Sequence, residues 1–144
     1  IEVSDSITIS RAPADVFAFM ADMNNLPKWQ SEVVASTVVT PGPTRVGTKF
    51  TEDVKMGPTH ATASCEVTEF TPGSMMAFKA LSPRMDYQAR ITVERNGDGS
   101  KVTMNGSAQM KGWWIVMQPF MKGEFKTGVR KELTSLKTVL EKKN

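Results

Sequence analysis

Few residues in this chain are suited to chemistry, and their spacing limits what they can do. His60 is the one histidine, set just after Pro58 where an alternating stretch begins. A Ser-His-Asp triad would need an activated serine beside it, yet Ser31, Ser64, Ser74 and Ser82 lie in no glycine-flanked strand-to-helix turn of the kind that exposes a nucleophile. An exposed and inert His60 is the expectation. Cys65, the one cysteine, falls on the apolar side of a strand, where a thiol acts as a small hydrophobe with a raised pKa. One cysteine and one histidine give no metal-ligand spacing, so no metal is expected. Gly97-Asp98-Gly99 sits between two strands and opens no helix, so no phosphate loop and no cofactor are expected either.

The carboxylates carry more information. Glu52 and Glu69 fall on or near apolar faces, and Glu132 lies close to the middle of an apolar helical stripe. A charge so placed must find a partner or shift its pKa. Arg84, Arg90 and Arg130 are the candidate partners, and structural ion pairs are the expected outcome. Tyr87, the only tyrosine, falls on the inner, apolar side of its strand. Its phenol either orients a ligand, acts as a weak acid, or sits in the core with its hydroxyl satisfied. Asp5 interrupts an otherwise apolar alternation and marks a bulge or a polar spot on the inner face.

These groups need elements to hold them. Ile1, Val3, Ile7 and Ile9 alternate with polar neighbours, which predicts a half-buried strand. Pro13 and Asp15 then suit the first turn of a helix with Val16, Phe17 and Met20 on its apolar face. Asn24, Asn25 and Pro27 stop that helix, and a second short helix or turn ends at Trp29. Six more strands follow, at 34–39, 46–54, 60–70, 75–81, 85–94 and 101–110. Their turns, among them Pro41-Gly42-Pro43, Gly57-Pro58, Pro72-Gly73 and Asn96-Gly97-Asp98-Gly99, are short, so the sheet should be mainly antiparallel.

From 112 to 143 the period changes to a helical one. Trp114, Met117, Met121, Phe125, Val129, Leu133, Leu136 and Leu140 share one face, with Lys122, Lys126, Arg130, Lys137 and Lys142 towards its edges. Pro119 predicts a kink, or a helix that begins there. A helix over 119–141 would be roughly 35 Å long. It is the only element long enough to cover the apolar face of the sheet, so the sheet must wrap around it.

Many positions on that face are small: Ala61, Ala63, Cys65, Ala89, Gly106 and Ala108. Large residues normally fill such a hollow, so volume is left over. Either Trp113, Trp114, Phe120 and Phe125 fill it, or it is a ligand cavity lined by adaptable methionines. On the cavity reading the ligand would touch Phe50, Cys65, Phe78, Tyr87, Met104, Trp114, Met117, Met121 and Phe125. The Leu half of the helix would be core.

With 144 residues, the chain reads as one domain spanning 1–144. The net charge of +3 gathers in the last helix and forms no basic stripe interleaved with aromatics, so no nucleic-acid partner is expected. No apolar run approaches a membrane span, so stable membrane insertion is not expected. A lone cysteine and the lack of a signal-peptide pattern point to the cytoplasm. The chain begins at Ile1 and not at a methionine, which leaves a removed leader open.

The landmarks Pro13-x-x-Val16-Phe17-x-Phe19, Asn25-Leu26-Pro27-x-Trp29, Val46-Gly47-Thr48-x-Phe50 and Glu66-Val67-Thr68-Glu69-Phe70-x-Pro72 recur in order, followed by Gly99-Ser100-Lys101-Val102 and Glu132-Leu133-x-x-Leu136-Lys137. In this pattern the chain resembles the SRPBCC superfamily, and within it the polyketide cyclase/dehydrase group, whose relatives include START lipid-transfer domains and birch-pollen-allergen-type proteins. The resemblance covers the whole chain. It implies an α+β helix-grip fold, a seven-stranded curved antiparallel sheet around a long C-terminal helix, with two short helices after the first strand and a hydrophobic cavity between sheet and helix. It also implies a small hydrophobic ligand such as a lipid, steroid or polyketide. The matching residues are packing and turn positions and carry no reaction, so catalytic residues are not assigned. Three functions follow as expectations: a binder or carrier of that ligand, a cyclase or dehydratase using an inward carboxylate or Tyr87, or an interaction module that docks a partner on exposed Trp113 or Trp114.

Overall fold

The period-two stretches become seven strands. In chain order the elements are β1 (Glu2–Ile9), α1 (Pro13–Ala21), a 3-10 turn (Met23–Asn25), α2 (Leu26–Trp29), β2 (Val33–Val38), β3 (Lys49–Met56), β4 (Thr59–Thr71), β5 (Met75–Leu81), β6 (Met85–Asn96), β7 (Gly99–Met110), a second 3-10 turn (Gly112–Met117) and α3 (Gln118–Lys142). The structure is a computed structural model and describes residues 1–30, 32–56, 58–83 and 85–142. Ser31, Gly57, Arg84 and Lys143, which figure in the expectations above, lie outside the described residues. The strands form one sheet in the order β1-β7-β6-β5-β4-β3-β2, antiparallel throughout. This is the helix-grip arrangement.

Two expectations change in detail. Residues 46–48 form a turn and do not extend β3, because Gly47 takes a φ of +90° and the Arg45 N–H donates to the Thr48 hydroxyl at 2.9 Å. The segment Gly112–Met117 is a 3-10 turn, and α3 starts only at Gln118. Pro119 therefore occupies the first helical turn, where its missing N–H would have had no partner in any case, and the break is a start and not a kink. At the β6–β7 hairpin only Gly97 of the two loop residues has positive φ, +59°, the pattern of a two-residue turn with glycine first. Gly99 is held against the Ile9 carbonyl oxygen so closely that a Cβ there would collide with it.

Antiparallel order decides what gathers at each end. The β3–β4 and β5–β6 turns, the end of β7, the start of β2 and Ile1 share one end with the start of α3. The opposite end carries the β6–β7 hairpin and the last turn of α3.

The two halves of α3 are held very differently. Val129, Leu133, Leu136 and Leu140 are buried in the core with Ile9, Val16, Phe17 and Trp29. Polar side chains stitch the same half to the strand beneath. Arg130 donates to both Asp5 carboxylate oxygens at 2.6 and 2.8 Å, and Lys137 Nζ donates to the Thr8 carbonyl at 2.8 Å. Glu141 accepts from the Ser10 N–H at 2.9 Å, and Arg11 donates to the Leu140 carbonyl at 2.7 Å. The Ser10 N–H and Lys137 together hold the Glu141 carboxyl below its ordinary pKa. In the first half, by contrast, the Gln118 carboxamide accepts from the Met110 N–H at 3.1 Å. Beyond it, no side chain from 119 to 129 has a polar bond outside the helix among the described residues. Trp113 is 71% exposed and Phe120 78%, so neither fills the hollow. Among the described residues no helix is long and apolar enough to cross a membrane.

This asymmetry sets a measurable contrast. Leu136→Ala should cost about 2–5 kcal/mol of unfolding free energy, and Phe120→Ala less than about 0.5 kcal/mol, read from denaturant midpoints. Equal losses at the two sites would contradict the division of the helix.

Candidate functional site

Strand register lines the inner side chains into rows. One row runs Val38, Phe50, Cys65, Ala80, Tyr87, Ala108 across six strands. The next row towards the start of α3 places Ser36, Glu52 and Ala63 side by side. On the other side of the first row, Phe78, Ala89, Gly106 and Val3 are neighbours. The alternation that turns Phe50 inward thus turns Glu52 inward as well, two residues on.

Glu52 is 5% exposed. One of its oxygens accepts from the Cys65 thiol at 3.2 Å. Its Oε2 has no hydrogen-bond partner, and neither does the buried hydroxyl of Ser36 across the strand pair. Burial pushes the Glu52 carboxyl above its ordinary pKa, with the thiol hydrogen bond opposing it in part. Burial likewise pushes the Cys65 thiol far up, helped by the charge of Glu52 and the bond to it. Cys65 is thus the inert, buried thiol expected.

Glu132 reaches the same region from α3. Part of its surface stays open, but protein surrounds the carboxyl closely enough that desolvation, followed by the charges of Glu52 and Glu32, pushes it up to about 8. Tyr87 is pushed up as well, by burial first and then by Glu132 and Glu52. Glu132 and Tyr87 thus both feel the charge of Glu52 across the space between α3 and the sheet. The ion pair expected for Glu132 does not form. Arg130 turns to Asp5, and Arg90 faces outward to Glu69 at 2.6 Å, leaving Arg84 outside the described residues. Among the described residues no cation pairs with Glu32, Glu52 or Glu132. For Glu69 the expected ion pair does form. Asp5 proves to be a polar spot on the inner face, opposite Met104 in register.

The leftover volume goes first to Tyr87. Its hydroxyl lies over Gly106, where a Cβ would come within 2.7 Å of it. What stays enclosed beneath α3 is a void of about 10 Å³ bounded by Ile1, Val3, Tyr87, Gly106, Ala108, Phe125 and Val129, about the size of one water. A larger hollow, about 410 Å³, lies on the far side of the sheet among Ser4, Glu69, Gln88, Arg90, Asn105 and neighbours. It is an open groove of outward-facing polar groups and has no connection with the helix.

The residues singled out from the sequence fall into three groups. Phe50, Cys65, Phe78 and Met104 are buried, Phe50 and Phe78 edge to face at 6.0 Å. Tyr87, Trp114, Met121 and Phe125 are half-buried, Tyr87 and Phe125 against the same small void. Met117 is exposed, at 43%, and Trp114 stacks on Trp113 with ring centroids 4.9 Å apart. The half-exposed inner residues Val54, Ala61 and Met85 sit at the end of the sheet where α3 begins, so the apolar surface left open concentrates there. His60 is exposed on the outer face. Glu32 and Ser36 were not foreseen, since a carboxylate in a turn and a serine in a strand carry no periodic signal.

A family model described as polyketide cyclase/dehydrase and lipid transport matches residues 1–141. Among solved structures, a Thermus thermophilus protein superposes with a TM-score of 0.84 at 16% identity, covering 100% of both chains. The Zhui aromatase/cyclase from Streptomyces sp. R1128 gives a TM-score of 0.84 at 9% identity, covering 98% of this chain and 93% of its own. A START superfamily protein from Mycobacterium smegmatis gives 0.78 at 14% identity, covering 96% and 98%. At such identities the likeness is one of fold. No curated protein matches the sequence.

The raised Glu132 has a thermodynamic signature. Between its ordinary 4.5 and about 8, the unfolded chain has released this proton while the folded chain retains it, so stability falls as pH rises through that window. Glu132→Gln should flatten the decline and stabilise the protein near pH 8 by on the order of 1–3 kcal/mol. Thermal unfolding of both proteins from pH 5 to 9 measures it, and an unchanged profile would mean the carboxyl titrates normally.

Proposed function

Since the chain belongs to the polyketide cyclase/dehydrase and lipid transport family, within the SRPBCC superfamily, we propose that it binds and carries a small hydrophobic molecule between its sheet and the first half of α3. The observation that carries this reading is the asymmetry of α3. Its Leu half is sealed and stitched to β1, whereas Trp114, Met117, Met121 and Phe125 stay partly open, and beyond Gln118 the first half of the helix makes no polar side-chain bond to the sheet among the described residues. A wall tied to the sheet mainly by apolar contacts moves at little cost, and methionines repack around varied shapes. Displacing that half, together with Tyr87 from its seat over Gly106, would turn the small void into a ligand chamber lined by Phe50, Cys65, Phe78, Tyr87 and Met104. Affinity would come mainly from apolar burial, at about 25 cal/mol per Å² removed from water. A single buried cysteine suits a reducing compartment, so we place this activity in the cytoplasm.

A cyclase or dehydratase using the same chamber is the second reading. It is supported by Glu132, which retains its proton near neutral pH beside Tyr87, the state a general acid requires. Turnover of a polyketide-like substrate that Glu132→Gln abolishes, with binding retained, would select it over carriage.

Native mass spectrometry of protein purified from its own source should reveal a co-purifying lipid-like molecule. Met121→Trp should plug the chamber and reduce ligand occupancy at least tenfold while leaving the unfolding midpoint within about 0.5 kcal/mol of the parent. Undiminished binding in this variant would move the site elsewhere.

A further inference from the structure

The ionisable side chains gathered between the sheet and α3 are all acidic. Glu52 on β3 and Glu132 on α3 lie within electrostatic reach of each other, with the Tyr87 phenol on β6 and the Cys65 thiol on β4 beside them and the exposed Glu32 close enough to act on Glu132. The cations nearest on α3 and β1 are spoken for: Arg130 by Asp5, Lys137 by Glu141, and Arg11 by Asp15 and the Leu140 carbonyl. A chain of net charge +3 thus gathers acidic groups in its interior with no counter-ion beside them among the described residues. Glu52 adds an independent sign of something missing, because it is 5% exposed and its Oε2 points into the inner face with no partner. An unpaired carboxylate oxygen in such a place is costly to the folded protein, and the cost is offset when a donor of positive charge arrives. The described carboxylates form no group arranged to chelate a metal ion. They are spread around an apolar space, as suits an organic cation whose charge sits at one end of a hydrophobic body.

We propose that the ligand carried in this chamber is a hydrophobic amine, whose protonated nitrogen is held between Glu52 and Glu132 while its apolar body lies against Tyr87, Phe125 and Met121. This inference rests on the carriage reading above and adds the ligand's charge to it. Below about pH 8 Glu132 holds a proton, so seating an ammonium there expels it. Binding therefore releases a proton near neutral pH and tightens as pH rises from 6.5 towards 8, with Glu52, Tyr87 and Cys65 as the other titratable groups facing the nitrogen and the exposed Glu32 as the further charge acting on Glu132.

The test uses four ten-carbon probes on the full chain: decylamine, decanol, 2-decanone and decanoate, followed by calorimetry at pH 7.5 and by native mass spectrometry. Decylamine should bind at least tenfold tighter than decanol and 2-decanone, with decanoate weakest. Calorimetry in buffers of different ionisation enthalpy should show proton release with the amine alone. In the double variant Glu52→Gln/Glu132→Gln the amine preference should fall below twofold, while Glu124→Gln on the exposed face of α3 should leave it intact. Equal or tighter binding of decanol or the ketone overturns the amine assignment and leaves carriage standing, as neutral glutamic acids donating to an oxygen would then explain the site. A preference that survives in the double variant also overturns it, because the cation would then be held elsewhere. If none of the four binds, carriage and amine recognition fall together.

Discussion

A curled sheet of seven strands has one hollow, and this chain has one helix with which to close it. Everything else follows from how that helix is fastened. Its second half combines four buried apolar side chains with charge-assisted bonds to β1, so burial and ion pairing reinforce each other there. Its first half has neither, and the residues that a longer apolar contact would require are absent from the sheet below it, where alanine, cysteine and glycine prevail. The fastening is thus unequal along a single rod. With few buried apolar contacts and few polar ties, the first half is the part of the helix that can open locally without unfolding the rest.

The same division governs the charges. Where the fold needs holding, acids and bases are matched: Asp5 with Arg130, Glu69 with Arg90, Glu141 with Lys137. Between the sheet and α3, Glu52 and Glu132 stand without a paired base among the described residues. Buried acids without bases destabilise a fold, and they persist where another demand outweighs stability. The outer groove shows the opposite chemistry, with an ion pair and amides open to water, so its larger size does not make it the site.

Much of this was legible in the amino-acid order because side-chain period reports directly on which face is buried. Alternation placed Phe50, Cys65 and Phe78 inward, the 3.6 period placed Leu133, Leu136 and Leu140 in the core, and the two dissonant acids, Asp5 and Glu132, turned out to be inner-face groups. Periodicity says nothing, however, about where a partner element ends. Trp113 and Phe120 read as fillers for the hollow, yet they sit beyond the sheet, in or next to the 3-10 turn, and face outward. Nor does it choose among partners. Arg130 is two residues from Glu132 and was a plausible mate for it, but residues two apart on a helix diverge, and Arg130 reaches β1 instead. Glu32 lies in a turn, where no period exists to mark it. Residues 46–48 alternate like a strand but are bent into a turn by the backbone of Gly47 and the bonds between Arg45 and Thr48.

The bonds that fasten α3 to β1 and the residue after it join positions 124 to 131 apart, whereas the β6–β7 hairpin closes across two. Within this domain β1 therefore leaves the ribosome well before the elements it needs, and waits to be paired on one side by β7 and gripped from above by α3. Until the last turns of α3 appear, the mainly apolar inner face of the sheet is uncovered. Those turns thus act as the clasp that ends a vulnerable interval during synthesis, and losing only them, with Leu136 and Leu140, would leave an otherwise fully patterned sheet sticky and unfinished.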